Sequence, residues 1–194
     1  MISNMMQPQN TARRKEHASR NEIMFLLATK RLFLRHLHIW DAEPLYRVFG
    51  DPEVMRFGDG AQTKEWVQDW VRTCLERYYP AWGFGPYAVV ERQSQDVIGY
   101  CGLFFFPDLD GQPEIELGYR LARSTWGQGY ATEAARAVRD YAFNTLGLQR
   151  LIAMIDPSNL ASIRVAKKIG MCYEKDILLE GYTHPDHLYV IARG

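Results

Sequence analysis

The chain has 194 residues, with 23 Lys and Arg against 23 Asp and Glu, so its formal net charge is zero. That balance argues against a general affinity for nucleic acid or anionic lipid, and the longest apolar run, Ile23 to Ala28, falls far short of a membrane span. Three cysteines, Cys74, Cys101 and Cys172, in no metal or redox spacing, suit a reducing, cytoplasmic compartment.

Residues 1 to 21 read as a flexible tail with a basic cluster (Arg13, Arg14, Lys15, Arg20) and no apolar periodicity. No apolar segment of the secretory kind follows Met1. Residues 22 to 194 form the expected single domain. Leu32 and Leu34 predict a strand, with Arg31 and Arg35 facing away from the core. Asp41 is placed to cap a short helix carrying Leu45, Val48 and Phe49, which Gly50-Asp51-Pro52 breaks. Thr63 caps a second helix, with Trp66, Val67, Trp70, Val71, Cys74 and Leu75 at spacings of three and four. Pro80 to Pro86 reads as a turn region. Tyr87 to Glu91 and Val97 to Phe106 predict a hairpin.

Glu114 to Leu121 alternates cleanly: Ile115, Leu117, Tyr119 and Leu121 share one face, Glu114, Glu116, Gly118 and Arg120 the other. A Gly-rich turn, Trp126 to Ala131, leads into a helix from about Thr132 to Leu146 that Gly147 ends. Leu151 to Ile155 is a strand, and Ala161 to Ile169 a helix stopped by Gly170. Met171 to Leu178 and His187 to Ala192 finish as strands. Early hairpins followed by a β-α-β unit predict a mixed, mostly antiparallel sheet of about seven strands with helices on both faces.

The turn at 126–131 joins a strand to a helix N-terminus. Its backbone N–H groups and the helix dipole make an anion site suited to a phosphate or pyrophosphate. A nucleotide-binding P-loop is excluded, because the chain has no Gly-Lys dipeptide. A dinucleotide fingerprint is excluded as well: Thr132 stands where its third Gly or Ala belongs, and Leu148 to Leu151 lacks the acidic residue. Downstream, Asp156-Pro157-Ser158-Asn159 is a turn entering a helix, where Ser158 or Asn159 caps the first N–H groups. Asn159 and Ser162 lie at a strand's carboxyl end, where sheets of this kind bind ligands.

Four segments together, Glu116-Leu117-Gly118-Tyr119, Trp126-Gly127-Gln128-Gly129-Tyr130-Ala131-Thr132-Glu133-Ala134, Asn159-Leu160-Ala161-Ser162 and Lys168-Ile169-Gly170-Met171, resemble the GNAT superfamily of acetyl-CoA-dependent N-acetyltransferases. The opening Thr29-Lys30-Arg31-Leu32-Phe33-Leu34-Arg35 resembles the branch of ribosomal-protein N-terminal alanine and serine acetyltransferases. The resemblance runs from about residue 26 to 192. One departure stands out: Trp126 occupies the Gln/Arg place of the loop pattern, so the pyrophosphate loses a side-chain donor.

What the resemblance implies is specific. Acetyl-CoA would be the cosubstrate, held by Gly127, Gln128, Gly129, Tyr130, Ala131 and Thr132 at its pyrophosphate. Its pantetheine arm would lie strand-like along Tyr119, Arg120 and Leu121, where a backbone N–H would face the developing oxyanion. Asn159 would hold a pantetheine amide or a water. Ser162 would stand near the sulfur and hydrogen-bond the leaving thiolate, in the absence of a tyrosine over Val165 to Ile169. Glu116 is the candidate base, provided burial raises its pKa or water relays the proton. The acceptor is a primary amine: a ribosomal or other protein N-terminus, or alternatively a polyamine, antibiotic amine or amino acid. A non-catalytic acyl-CoA-binding module on the same fold is the other alternative. An acceptor site rich in acidic groups would favour a polyamine, an open groove a peptide. Trp82, Phe84, Tyr79 and Phe57 are candidates to wall that site or to pack the core. The pairs His184/His187 and His36/His38 lack the three or four converging ligands of a zinc site, so no metal is expected. No membrane or direct nucleic-acid partner is expected of this monomer or homodimer.

Overall fold

The computed structural model describes residues 25–179 and 181–194; the expected tail over 1–21 lies outside them. Eight strands form one sheet: β1 (Leu27–Ala28), β2 (Leu32–His36), β3 (Pro86–Glu91), β4 (Val97–Leu109), β5 (Gln112–Leu121), β6 (Arg150–Ile155), β7 (Cys172–Ile177) and β8 (Asp186–Ala192). Their spatial order is β1-β2-β3-β4-β5-β6-β8-β7, and all neighbours are antiparallel except β5 and β6. The eighth strand, beyond the expected seven, is β1; two residues are too few to leave a period in the sequence.

The helices are α1 (Ala42–Phe49), α2 (Pro52–Met55), α3 (Lys64–Thr73), α4 (Tyr79–Trp82), α5 (Tyr130–Asn144) and α6 (Leu160–Lys168). Thr63 caps α3 as expected, its Oγ1 accepting the Trp66 N–H at 3.2 Å. The turn expected at Pro80–Pro86 is corrected. A π-helical turn, Cys74–Tyr78, carries the chain from α3 into α4, which ends only at Gly83 with φ +71°. Pro80 follows directly on the π-helical turn, where the widened helix accommodates a residue without an N–H.

Helices cover both faces, and this overturns two expectations. Arg35 does not face away into solvent; it is 4% exposed and pairs bidentately with Asp41, at 2.6 and 2.8 Å. Asp41, itself 1% exposed, is therefore an ion-pair partner and gives α1 no side-chain cap; it accepts instead the His38 N–H at 2.8 Å. Period two assigns a side chain to a face, and in a sheet covered on both sides either face is interior.

One core fills the α5 and α6 side, where Leu32, Leu34, Tyr87, Leu103, Val138 and Leu151 are wholly buried. The other lies under α1 and α3 and holds Leu45, Phe49, Val67, Val71, Ala88 and Tyr100. Each fully buried Leu contributes about 1.5–3 kcal/mol by leaving water. Among the described residues no helix is long and apolar enough to cross a membrane.

The feature that positions the site is the contact between β5 and β6. They share a single register pair, Glu116 with Ile152. β5 runs on to Leu121 with β4 beside it, and among the described residues its other edge has no strand partner beyond Glu116.

Candidate active site

The Gly-rich turn lies between the end of β5 and α5. Gly127 and Gly129 have φ of +75° and +83°, a conformation that costs a residue with a Cβ but not glycine. Gly129 is the N-cap of α5, whose first helical bond runs from the Glu133 N–H to the Gly129 carbonyl at 3.1 Å. The N–H groups of Tyr130, Ala131 and Thr132 precede that bond and have no intrahelical acceptor. Among the described residues, those of Gly127, Gln128 and Gly129 donate to no backbone carbonyl. A run of free donors at a helix N-terminus, exposed over Gly127 to Gly129, fits a pyrophosphate. Trp126, in the loop's Gln/Arg place, gives no cation: its indole N–H donates to the Leu121 carbonyl at 2.9 Å and ties the loop to the end of β5.

Residues far away in sequence hold this loop from behind. Glu133 accepts from the Thr29 hydroxyl at 2.6 Å, the Arg31 N–H at 2.8 Å and the Arg31 Nε at 2.7 Å. Arg31 Nη1 donates to the Gln128 carbonyl at 2.8 Å, and its guanidinium lies 4.4 Å from the centre of the Tyr130 ring. Burial works against the Glu133 charge, but the bonds from Thr29 and Arg31 outweigh it and hold the carboxyl below its ordinary range.

At the second element the cap falls on Asn159 itself. Its Oδ1 accepts the Ser162 N–H at 3.1 Å, while Ser158 is engaged with Asp156. Asn159 therefore has its amide N–H groups left to offer a ligand. Ser162 lies beside Tyr119, whose buried hydroxyl has no hydrogen-bond partner among the described residues. Burial pushes that phenol up to about 12, with Ser162 pulling it partly back. The sequence names Tyr119 for its backbone; its alternation with Leu117 and Leu121, toward the helix that carries Ser162, was the signal for its side chain.

Glu116 stands on the opposite face of β5, at the register pair where β6 departs. Its Oε1 accepts the Met154 N–H at 3.3 Å. Burial lifts its pKa to about 7; the Met154 N–H and Arg120 restrain the rise, and Asp186 adds to it. Tyr78 and Phe104 pack near it, their rings 6.2 Å apart and edge to face. Arg120 reaches across to Gly58, where a Cβ would meet its Nη2 at 2.4 Å. Tyr182, in the loop between β7 and β8, donates to Asp59 at 3.1 Å and links the two flanking loops.

A further group was not foreseen. Asp156, His184 and Asp186 bring one ligand atom each to within 4.8 Å of one another. The pairs weighed from sequence divide differently: His184 lies 3.6 Å from Asp156, and His187 lies 3.5 Å from Asp176. His36 stacks on Tyr79 with ring centres 4.2 Å apart. Of the four aromatic wall candidates, Tyr79 donates its hydroxyl to the Pro86 carbonyl, Trp82 packs on Phe105, Phe84 is buried and Phe57 lies under Arg56. Tyr79 thus braces and Phe84 packs, while Trp82 is left 46% exposed.

An open mixed sheet, parted beside a carboxylate and closed at one end by a free-donor loop, defines a class that binds a long anionic ligand across the sheet. A family model of the acetyltransferase (GNAT) domain matches residues 31–172. The uncharacterized protein YkkB of Bacillus subtilis (strain 168) is 39% identical over 152 residues, which are 78% of this chain and 87% of that one. The uncharacterized N-acetyltransferase p20 of Bacillus licheniformis is 32% identical over 82% of this chain and 88% of its own. The crystal structure of a GNAT-family acetyltransferase from Bacillus anthracis superposes with a TM-score of 0.72, at 28% identity, over 87% of this chain and 98% of the other. Solved ribosomal-protein acetyltransferases share the fold at lower identity. The chain belongs to the GNAT acetyltransferases: it is an acetyl-CoA-dependent N-acetyltransferase.

Proposed function

We propose that the enzyme passes the acetyl group directly to a small, multiply charged primary amine, such as a polyamine, bound beside acetyl-CoA in a ternary complex. The observation that carries this is the setting of Glu116. It lies where the sheet parts, with a pKa of about 7, while Asp186, Asp156 and Asp59 border the same end of the sheet with Arg120 as a nearby cation. A surplus of carboxylates attracts a polycation. The Tyr182–Asp59 link across the flanking loops also narrows the approach for an extended peptide.

Acetyl-CoA supplies the activated acetyl thioester; the chain's residues do the rest. The loop amides from Gly127 to Thr132 hold the pyrophosphate, and the free edge of β5 at Tyr119 to Leu121 seats the pantetheine. Asn159 donates to a pantetheine carbonyl from its free amide N–H. Glu116, as carboxylate, takes a proton from the ammonium, directly or through water, and so frees the lone pair that attacks. A base poised near 7 keeps a useful ionised fraction at neutral pH. As the C–S bond breaks, the nitrogen gives up its second proton, through water, to the sulfur, which leaves as the thiol, and Ser162 donates a hydrogen bond to that sulfur while its charge develops. Orientation of the two substrates accounts for much of the barrier lowering, about 7–11 kcal/mol in good model systems.

The test is thiol release from acetyl-CoA with a panel of polyamines, aminoglycosides, amino acids and N-terminal peptides. Polyamines should give the highest kcat/KM. Turnover confined to peptides would return the acceptor to the protein N-terminus, and no release with any amine would leave an acyl-CoA-binding module.

A further inference from the structure

We propose that Arg31 is the positioning residue of the pyrophosphate loop: by cancelling the Glu133 charge and drawing off the Gln128 carbonyl, it restores the electrostatic character lost to Trp126. The inference rests on the reading of the loop as the acetyl-CoA pyrophosphate site.

The problem Arg31 solves is visible in the first turn of α5. A carboxylate near a helix N-terminus is favourable for the helix by itself. A pyrophosphate brought to the same terminus meets that carboxylate as a like charge. Glu133 is the fourth residue of α5, next to the free amides of Tyr130 to Thr132. The loop has no cation at position 126 to offset it: the residue there is Trp126, whose uncharged indole donates its N–H to the Leu121 carbonyl.

Arg31 meets Glu133 on terms that leave little freedom. Its Nε and Nη2 both lie 2.7 Å from Glu133 Oε2, while Oε1 takes the Arg31 N–H and the Thr29 hydroxyl. Both carboxylate oxygens are filled. The third guanidinium nitrogen, Nη1, bonds the Gln128 carbonyl at 2.8 Å. A carbonyl held toward Arg31 cannot turn its negative end toward an anion at the loop. Nη2 also lies 3.5 Å from where a Cβ on Gly129 would stand, so the cation is at the apex of the loop. The guanidinium is kept in place on one face by the Tyr130 ring, whose hydroxyl donates to Glu91 at 2.6 Å. The segment carrying Arg31 is pinned in turn by Arg92, through its N–H to the Arg31 carbonyl at 2.9 Å and its Nη1 to the Thr29 carbonyl at 2.8 Å.

A brace and a charge-compensating device make different predictions. If Arg31 only ties β2 to α5, then removing Glu133 as well cannot repair its loss. If Arg31 cancels a charge, the second substitution relieves the repulsion that the first exposed. The experiment measures the CoA dissociation constant by calorimetry for wild type, Arg31→Gln, Glu133→Gln and the double variant, with a thermal melt of each. Arg31→Gln should weaken CoA at least tenfold. Glu133→Gln should stay within about threefold of wild type, and the double variant should recover to within a few-fold. Kinetics supply the second arm: S-acetylpantetheine, which lacks the pyrophosphate, should lose little kcat/KM in Arg31→Gln, whereas acetyl-CoA should lose it through KM with kcat kept. A double variant as weak as Arg31→Gln, or equal losses for both thioesters, would overturn the charge-compensation role. Should Arg31→Gln not fold, Arg31→Lys keeps the charge without the fork and should bind CoA between wild type and the Glu133-compensated pair; affinity unrelated to that charge would overturn the proposal. Failure of the wild type to bind CoA would instead remove the pyrophosphate reading on which the inference stands.

Discussion

Two glutamates on neighbouring elements show how surroundings divide one chemistry into two uses. Glu133, behind the loop, receives donors on both oxygens, from Thr29 and from the backbone and side chain of Arg31. Glu116, where the sheet parts, receives one bond at 3.3 Å from Met154. The first is held charged below its ordinary range, and the second rises to about 7. A carboxylate saturated with donors is a fixed charge, useful for shaping a site. One left short of donors changes charge near neutral pH and can carry protons.

The largest test of that contrast is Glu116→Gln. It should lower kcat/KM by about 100-fold or more at pH 8 and abolish the rise in activity through an apparent pKa near 7. Stability should move the other way. A carboxyl whose folded pKa lies above its unfolded value binds more protons when folded, so stability falls as pH rises from about 4.5 to about 7. The amide escapes that penalty. Glu116→Gln should therefore melt higher than wild type above pH 7, by an amount of order 1–3 kcal/mol, and the gain should vanish below about pH 4.5. A pH-rate profile beside melting curves across that range checks both.

Ser162→Ala and Asn159→Ala come next. The α6 cap uses the Ser162 N–H and the Asn159 side chain, so Ser162→Ala keeps it. Its kcat should fall about 10–100-fold with an acetyl-CoA KM changed little, and its stability should stay within about 0.5 kcal/mol of wild type. Asn159→Ala should lose about 0.5–2 kcal/mol with the cap and weaken CoA binding. Steady-state kinetics with denaturant titration separate them; an unchanged kcat in Ser162→Ala would take its hydroxyl out of the chemistry.

The smallest effect belongs to Glu133. Its depressed pKa contributes stability that is present above the unfolded value near 4.5 and is lost as pH falls through the lower folded value. Glu133→Gln should be less stable than wild type at pH 7, and the difference should shrink on acidification; acid titration of the melting temperature reads it directly.

The sequence carried the order of elements, the alternation of β5, the Gly-rich turn and the Asn159–Ser162 pair, because periodicity and turn chemistry are local. What it could not carry were contacts closed by the fold. Arg31 meets Glu133 across 102 residues and Tyr182 meets Asp59 across 123. Arg35 shows the limit at short range: alternation gave its face, but not the Asp41 buried beside it. The π-helical turn before Pro80 was illegible for another reason, since Gly and Pro read as a break wherever a helix can widen to admit them.

An unpaired strand edge usually invites another chain to add itself, and proteins blunt such edges with charge, proline or a covering loop. The open edge of β5 from Leu117 to Leu121 needs none of these. It lies in the interior of the sheet order, with β6 and then β8 beyond it, so a neighbouring molecule has no flank along which to extend the ladder. The fold thus keeps a row of backbone donors and acceptors without a strand partner inside the sheet and not at its rim. The protection of that edge and its free backbone groups both come from the same departure of β6 at Glu116.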